Sequence, residues 1–392
     1  MKKVKTFFLL LGSTATILMF CSCTKEQRPG PAGNGDQNNP GSTSLNVNVT
    51  TVAGKRGERG NAEDGNGVSA RFWNPGKMVF DSRNNMLYIA DGSVIRSMDM
   101  QYNVSTYVPL RMLGSSFNDI LDIALAPGNG GSLYVTTKEN DLWKIEPDGD
   151  QASAINIINR VYSGNAIGSM NSGDHFDLAR GLATGANGEI YFFNQSWATL
   201  HRIRLSSLTE GVVEIFAGKA ENKSGGDGNP YPFLDGKGEL ATFGARVSDI
   251  ASDANGNIYV ADFDNNLVRK ITPDATVTSL FPFKTHVGVD VDGPIAKAES
   301  NNVLQVATTD DGNFIFFTTY GYAGNNLNAL RMVRPGKDVI TLAGYSGHAS
   351  YGDGPGTTAG LGETGGIAAT PDGKTIFVSE PGQKVIRKVT IE

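Results

Sequence analysis

An Asp-Gly pair with Ala six positions after the Asp recurs along this chain, and the fold must accommodate that repeat. The later copies are spaced by roughly 60 residues, and short runs rich in β-branched and aromatic residues follow each one. Strands that recur at a fixed period predict an architecture in which each unit packs on its neighbours. The copies begin at Asp64, Asp235, Asp292 and Asp353, with the alanines at Ala70, Ala241, Ala298 and Ala359.

The stretch from Ala241 to Thr278 shows the unit most clearly. Its apolar runs are separated by Asn, Asp and Gly, the residues that favour tight turns, so we expect a meander of antiparallel strands. Strands this short are not stable alone, and each sheet must therefore pack on the next. The predicted strands are Val247–Ser252, Asn257–Asp262, Leu267–Ile271 and Thr276–Leu280.

The second and third strands of this unit can be counted along the chain, and both counts predict six units. The second strand recurs at Met86–Asp91, Ser132–Thr136, Glu189–Phe193, Asn257–Asp262, Asn313–Thr318 and Thr375–Glu380. A basic residue recurs in or beside the third strand, at Arg96, Lys144, Arg202, Arg269, Arg331 and Arg387.

The run Val49–Gly54 precedes the first unit and has no partner within it. It is similar to Val213–Gly218 and Ile340–Gly344, which are predicted fourth strands ending in Ala-Gly. Because the sixth unit ends after its third strand, we expect this run to complete it, with Thr50 beside Lys388. Closing a ring in this way removes open sheet edges. The sequence therefore predicts an all-β, six-bladed β-propeller of four-stranded blades, closed by its N-terminal strand.

Three stretches of the chain resemble the NHL repeat: Asp64–Met98, Asp235–Ile271 and Gly366–Val389. They cover units one, four and six, whereas units two, three and five are assigned from the strand pattern. The resemblance implies a six-bladed propeller over roughly Val49–Glu392 and a family that more often scaffolds interactions than performs chemistry. The whole plan is similar to uncharacterised NHL-type lipoproteins of Bacteroidetes-like bacteria.

The N-terminus has the pattern of a bacterial lipoprotein signal peptide. A lysine-rich start precedes the apolar run Phe7–Phe20, which is shorter than the roughly 20 residues that span a bilayer. The small Ser22 directly before Cys23 suits lipoprotein processing, so we expect lipidation at Cys23; the alternative is a plain secretory peptide. We predict a signal peptide over residues 1–22, a Gly- and Pro-rich flexible tether over 23–44, and the propeller over 45–392.

Composition narrows the range of partners and locations. The chain has 34 basic and 40 acidic residues and no Lys/Arg block outside the signal, which argues against nucleic-acid binding. Both cysteines lie at the N-terminus, so the mature chain has no disulfide or cysteine metal site. We expect a monomer held to the outer membrane of the cell envelope by its lipid anchor alone, on the periplasmic or the surface side.

Residues that recur from unit to unit are interpreted as structural. The Asp-Gly pairs lie in separate blades, so we expect Asp to accept backbone N–H bonds in a turn with Gly at positive φ; calcium binding is the alternative. The strand-three basic residues are expected to pair with carboxylates such as Asp91 and Asp262. The strand-two aromatic positions are expected to form the core between blades: Tyr88, Tyr134, Tyr191, Tyr259, Phe316 and Phe377.

Function is expected in the long loops, which do not repeat. In a meander, the loops that enter the first strand and those that join the second and third strands lie on one face. Aromatic rings beside polar groups suit a sugar or a peptide, so we predict a binding module for a glycan or protein partner. The alternative is that these rings anchor the loops. The predicted ligand-binding residues are Trp73, His175, Trp197, Tyr231, Phe233, Tyr320, Tyr322 and Tyr351.

The alternative function is a metal-dependent propeller enzyme, similar to lactonases or lyases, with its site in the central channel. Zinc would require the histidines on the loop face, whereas His201 is expected to be structural. A lactonase-like site would require acidic residues near the first strands. No catalytic residue and no cofactor are predicted. The candidate zinc ligands are His175, His286 and His348, and the candidates for a lactonase-like site are Asp122, Asp249 and Asp290.

Overall fold

The described part of the chain forms six β-sheets. This computed structural model describes residues 45–58, 61–109, 119–127, 131–138, 142–148, 151–156, 162–163, 180–207, 210–220, 233–283, 290–321, 328–344 and 351–392. The signal peptide, the tether and Cys23 lie outside these ranges. No helix within these ranges has the length and apolar character needed to cross a membrane.

Each sheet is one blade, and its main strands follow chain order from the channel outwards. Strand β1 (Val47–Gly54) comes first in the chain. Blade one contains β2 (Gly65–Asn66), β3 (Pro75–Asp81), β4 (Met86–Asp91), β5 (Val94–Asp99) and β6 (Asn103–Pro109). Blade two contains β7 (Ile120–Leu125), β8 (Leu133–Thr137), β9 (Leu142–Asp148) and β10 (Gln151–Asn156). Blade three contains β11 (Tyr162–Ser163), β12 (Arg180–Thr184), β13 (Ile190–Asn194), β14 (Thr199–Ser207) and β15 (Glu210–Ala217).

The second half of the ring repeats this order. Blade four contains β16 (Gly236–Lys237), β17 (Val247–Ser252), β18 (Ile258–Asp262), β19 (Leu267–Ile271) and β20 (Thr276–Ser279). Blade five contains β21 (Gly293–Pro294), β22 (Val303–Thr308), β23 (Ile315–Thr319), β24 (Ala329–Arg334) and β25 (Asp338–Gly344). Blade six contains β26 (Gly354–Pro355), β27 (Gly366–Ala369), β28 (Thr375–Glu380) and β29 (Val385–Ile391), together with β1. Short 3₁₀ turns lie at Gly67–Ser69, Gly238–Leu240, Ile295–Lys297 and Gly356–Thr358.

The N-terminal strand closes the ring. Strand β1 pairs antiparallel with β29, and Thr50 lies opposite Lys388. The innermost strands contact one another in an unbroken circle, β3 with β7, β7 with β12, and onward through β17, β22 and β27 back to β3. The predicted six-bladed, N-terminally closed β-propeller is therefore confirmed.

Six apolar clusters hold neighbouring blades together. Each cluster contains one of the predicted strand-two aromatics, and all six of these rings are at most 4% exposed. In blade four, for example, Tyr259 packs against the blade-five residues Val306 and Phe317. Burying a ring of this size stabilises the fold by about 1.5–3 kcal/mol. Apolar side chains thus join neighbouring blades, and main-chain hydrogen bonds between connecting loops, such as Ile120 N–H to Gly92 O at 2.9 Å, add to this contact.

The recurring Asp-Gly segment adds a strand that the prediction of four-stranded blades did not include. In blades one, four, five and six the glycine and the residue after it form a short outer strand that pairs with the fourth strand, for example Gly236 opposite Val277. The glycine is in a positive-φ conformation at Gly293 and Gly354 only. The alanine six residues after each Asp is fully buried, so this loop is fixed to the blade at both ends.

A buried arginine on the third strand clamps this loop in the same four blades. Arg269 is fully buried and donates hydrogen bonds to the carbonyl oxygens of Leu234 (2.8 Å) and Thr242 (3.1 Å), one on each side of the loop. It also donates to Asp235 (2.8 Å) and Asp262 (3.2 Å). The other members of this set are Arg96, Arg331 and Arg387.

The carboxylates of the Asp-Gly pairs are structural, although not through the local turn that was expected. Asp235 accepts the backbone N–H of Ser279 on the fourth strand at 3.0 Å as well as the Arg269 guanidinium. Asp292 and Asp353 do the same with Thr341 and Thr51. The pairing of strand-three arginine with Asp91 and Asp262 is confirmed.

Two of the six predicted strand-three basic residues do not occupy the equivalent position. Arg269 lies opposite Val260, but Arg202 lies opposite Tyr191, which is one residue earlier on the second strand than the equivalent of Val260. Lys144 lies opposite Tyr134 in the same shifted register. A shift of one residue in a strand turns the side chain to the other face of the sheet. Arg202 and Lys144 therefore pair on the partly exposed side, with Glu214 and Glu146, and the arginine positions of their blades are occupied by His201 and Trp143.

Candidate functional site

Six register-equivalent positions on the innermost strands differ from blade to blade, whereas the positions after them are uniformly apolar. In each blade this position on the first strand directly precedes a residue that pairs with the middle of the second strand. In blade one, for example, Lys77 precedes Met78, which pairs with Ile89. We call these six positions the channel ring. Its members are Lys77, Asp122, Gly181, Asp249, Gln305 and Gly366.

Lys77 is the cation of the channel ring and reaches residues of other blades. Its Nζ lies 2.5 Å from Asp249 Oδ1 of blade four and donates to Gln305 Oε1 of blade five at 2.6 Å. Asp249 also accepts the N–H of Ile250 at 2.9 Å and that of Val306 at 3.0 Å. All the described acceptor atoms of Asp249 are therefore engaged, and the carboxylate fixes the inner edges of two blades.

Asp122 is buried in the same ring without an equivalent set of partners. Its Oδ1 accepts the N–H of Ile123 at 2.7 Å, and the N–H of Gly181 in the next blade also faces this carboxylate. The pKa of Asp122 is raised to about 7, mainly by burial and also by Asp249, while Lys77 and the N–H groups of Ile123 and Gly181 oppose the increase. The pKa of Asp249 is also raised by burial, against the attraction of Lys77.

The channel contains two cavities, and Lys77 lines both of them. The upper cavity has a volume of about 240 Å³ and lies among residues at the start of the first strands, on the side of the long loops. The lower cavity has a volume of about 350 Å³ and extends to the loops that join the first and second strands. The Lys77 side chain thus lies at the boundary between two separate spaces.

The upper cavity has a polar and mainly cationic lining. Lys77, Lys138 and the exposed Arg180 contribute positive charge, and Asp119, paired with Lys138, contributes negative charge. Asn74 and Gln305 add uncharged hydrogen-bonding groups. Such a lining suits a hydroxyl-rich or anionic ligand, because guanidinium and ammonium groups donate to oxygen.

Trp73 lies directly beside the upper cavity and is 55% exposed. The neighbouring Asn74 and Gly92 both line that cavity. The indole ring lies over Gly92, where an added Cβ would come within 2.7 Å of Trp73 Cδ1. The backbone N–H groups of Trp73 and Asn74 donate to Asp91, which is itself bound by Arg96, so the repeat scaffold holds this ring in place.

The other predicted aromatic residues within the described ranges divide into exposed rings and anchoring rings. Trp197 and Tyr320 are each 38% exposed, in the loops between the second and third strands of blades three and five. Phe233 instead packs at a tilt of 45° against Phe283, with ring centroids 4.4 Å apart, and lies on the core between blades four and five. This agrees with the alternative in which such rings anchor the loops. Tyr351 is half-buried beside Gly362.

Several candidates lie outside the described ranges or away from the channel. The loop residues His175, Tyr231, His286, Tyr322 and His348 fall outside them. His201 is buried in blade three, next to Thr199 and stacked on Phe192 at 5.1 Å. Asp290 binds Arg331 and Thr319 rather than lining either cavity. Among the described residues, no three His, Cys, Asp or Glu side chains are arranged to hold a metal ion.

Sequence reasoning identified Asp122 and Asp249 but missed Lys77, Gln305 and Arg180. The signal was present, since the position before a recurring apolar residue carries four different residue types among the six blades. That variation can be interpreted only when the register of all six first strands is known, because the ring residues are far apart in sequence.

Comparison with known proteins agrees with this architecture. The family model described as NHL repeat matches residues 245–271, which include most of the main strands of blade four. The chain carries an NHL repeat in a six-bladed β-propeller. This NHL-repeat propeller is similar in fold to a protein of unknown function from Bacteroides thetaiotaomicron, with a TM-score of 0.63 and 20% identity over 89% of this chain and 76% of that one. It is also similar to an auxiliary nutrient binding protein from the same organism, with a TM-score of 0.61 and 17% identity over 89% and 77%.

Curated relatives of this NHL-repeat propeller are longer proteins. It is 23% identical over 342 residues to the chloroplastic protein SUPPRESSOR OF QUENCHING 1 of Arabidopsis thaliana, covering 81% of this chain and 30% of that protein. It is 25% identical over 357 residues to NHL repeat-containing protein 2 of Bos taurus, covering 81% and 46%. The chain thus spans less than half the length of either relative.

Proposed function

We propose that this protein is an exported, lipid-anchored propeller that acts as a binding module, with a glycan held on its loop face. The observation that carries the proposal is the exposed Trp73 ring beside the polar upper cavity. An aromatic ring offers a stacking surface to a sugar, while Arg180, Lys77 and Asn74 supply donors for its hydroxyl groups. The nutrient binding ascribed to the neighbour from Bacteroides thetaiotaomicron agrees with this role.

The site has the size and rigidity of a small-ligand pocket. Its lining residues lie on or next to the first strands of the ring, which pack on both neighbouring blades. A pocket built on such a scaffold loses little conformational freedom when a ligand binds. A protein partner would also contact exposed rings on other blades, such as Trp197 and Tyr320, so sensitivity at those two residues distinguishes it from a glycan held at Trp73.

A glycan array with the mature protein tests the proposal. Trp73→Ala should weaken binding by about 3- to 10-fold, the range expected for loss of one aromatic contact, and Trp73→Phe should restore most of it. Leu240→Ala is the matched control, because Leu240 is a 68% exposed apolar residue on the outer Asp-Gly loop. Glycan binding that is unchanged in Trp73→Ala, or no glycan binding by the wild type, would reject this site.

Lipid anchoring is tested separately in cells. Labelling with an alkyne-tagged fatty acid should mark the wild-type protein and the Cys21→Ala variant but not the Cys23→Ala variant. The labelled protein should sediment with the outer membrane. Equal labelling of the Cys23→Ala variant would contradict the assigned lipidation site.

A further inference from the structure

The wall of the upper cavity includes the six residues that directly precede the channel ring, one from each blade. We call these residues the upper ring. Its members are Gly76, Leu121, Arg180, Ser248, Leu304 and Gly365. Five of them are uncharged and half-buried, whereas Arg180 of blade three is charged and exposed. Because glycine, serine or leucine occupies this position in the other blades, the propeller fold does not require an arginine here.

Arg180 is also the cation of the upper cavity that has no partner among the described residues. Lys77 forms an ion pair with Asp249, and Lys138 forms one with Asp119. Within the described ranges, no side chain or carbonyl group accepts a hydrogen bond from Arg180. Its positive charge is therefore uncompensated at this site, although the chain as a whole has a formal net charge of −6. A local excess of positive charge in an acidic chain favours anionic ligands at that place.

The space in front of Arg180 suits a single sugar residue. The cavity volume of about 240 Å³ is below the roughly 300–1,000 Å³ of pockets for drug-sized ligands. Blade six lies across the ring from blade three, and its upper-ring member is Gly365. An added Cβ at Gly365 would lie 2.6 Å from Pro381 Cγ, so the packing of blade six keeps a side chain out of the position opposite Arg180. Asn74 remains in the wall as a hydrogen-bonding group for hydroxyls.

We infer that the glycan of the proposed function contains an acidic sugar, and that Arg180 binds its anionic group, a carboxylate or a sulfate. A guanidinium presents two parallel N–H donors to such a group, and charge-assisted hydrogen bonds are roughly twice as strong as neutral ones. Trp73, beside the same cavity, contributes the stacking surface for the sugar ring, and Arg180 determines the preference for acidic over neutral sugars. This inference rests on the proposed function and narrows its class of ligand.

An array of matched oligosaccharide pairs tests the inference with the mature protein. The acidic probes are oligomers of galacturonic and glucuronic acid and sulfated galactose oligomers, each immobilised beside its carboxyl-reduced or desulfated counterpart. We expect one acidic class to bind about 10- to 100-fold more tightly than its neutral counterpart, the range for hydrogen bonds to a charged group. The class that binds identifies the anionic group.

The outcomes separate this inference from the glycan proposal. Equal or tighter binding of the neutral counterparts, or binding restricted to neutral glycans, would overturn the inference and leave the glycan proposal standing. Absence of binding to every glycan would reject both.

Variants locate the preference for acidic sugars. Arg180→Gln should remove it, and Arg180→Lys should retain only part of it, because an ammonium does not present a planar pair of donors. Arg204→Gln is the matched control, since Arg204 is another arginine of blade three, with its side chain 54% exposed and outside the cavity. Trp73→Ala should weaken acidic and neutral glycans by the same factor. If Arg180→Gln keeps the wild-type preference, or if Arg204→Gln loses it equally, Arg180 does not select the ligand and the inference is wrong.

Discussion

Replacing the buried Arg269 by Met tests how the repeat is held together. The substitution keeps an apolar chain of similar length and removes the four hydrogen bonds to Leu234, Thr242, Asp235 and Asp262. Asp262 is fully buried and would keep only the donors Gly244 and Asn265. Removing one partner of a buried ion pair lowers the free energy of unfolding by about 3–5 kcal/mol, because the remaining charge is buried without compensation.

Arg202→Met is the matched control. Arg202 is also a third-strand arginine, but it lies in the shifted register and pairs with Glu214, their side chains being 19% and 28% exposed. Partly exposed pairs of this kind contribute about 0–1 kcal/mol. We therefore expect Arg269→Met to lower the free energy of unfolding by at least about 2 kcal/mol more than Arg202→Met does.

Urea unfolding followed by both tryptophan fluorescence and far-UV circular dichroism measures this difference. The two signals must give coincident transitions and the variants must share one slope before free energies are compared. The loss should also grow with pH, because burial already raises the pKa of Asp262 and protonation of the unpaired carboxyl would limit the cost in acid. If the two variants differ by less than 1 kcal/mol, the buried arginine does not hold the Asp-Gly loop, and the assigned role is wrong.

Three further predictions concern pH and ring closure. The pKa of Asp122 in the folded state is raised to about 7, so the folded protein binds a proton that the unfolded chain releases, and stability should fall as pH rises from about 4 to 7. In Asp122→Asn the urea midpoint should depend less on pH over this range. Burial lowers the pKa of His201 to about 4, so its contribution to stability is present above about pH 6.5 and lost as pH falls to 4, and His201→Gln should reduce this acid sensitivity. Val49→Asp buries a charge in β1, so it should prevent cooperative unfolding or lower the urea midpoint sharply. Asn48→Asp, at an exposed position of the same strand, should change the midpoint little. Similar near-UV spectra and midpoints for the two variants would argue against closure by β1.

The strands and the closure could be predicted because they depend on local patterns. Turn residues and β-branched runs define Val247–Ser252 and Leu267–Ile271 from their own sequence, and the structure has both within the same bounds. The pairing of Thr50 with Lys388 followed from the requirement that a ring has no open edge. These inferences need no knowledge of which side chains meet across blades.

Counting alone could not predict to which face of the sheet each third-strand basic residue points. Lys144 and Arg202 were grouped with Arg269 because a basic residue occurs near each third strand, although both point to the opposite face. One residue of register separates a buried clamp from a half-exposed ion pair. The missing Asp-Gly loop in blade two was the available clue, since an arginine clamp has no loop to hold there, and Trp143 occupies the clamp position instead.

Four of the six channel-ring positions carry a side chain, and the approach of neighbouring strands explains why the other two do not. Gly181 has φ of +76°, and an added Cβ would lie 2.9 Å from the backbone N of Ile250 in the next blade. At Gly366 an added Cβ would lie 2.7 Å from the Cα of Lys77. Both positions are therefore restricted to glycine by the approach of the neighbouring first strand. The remaining ring positions carry one ammonium, two carboxylates and one amide, and because Lys77 binds Asp249, the carboxylate of Asp122 is buried in the ring without a cation of its own.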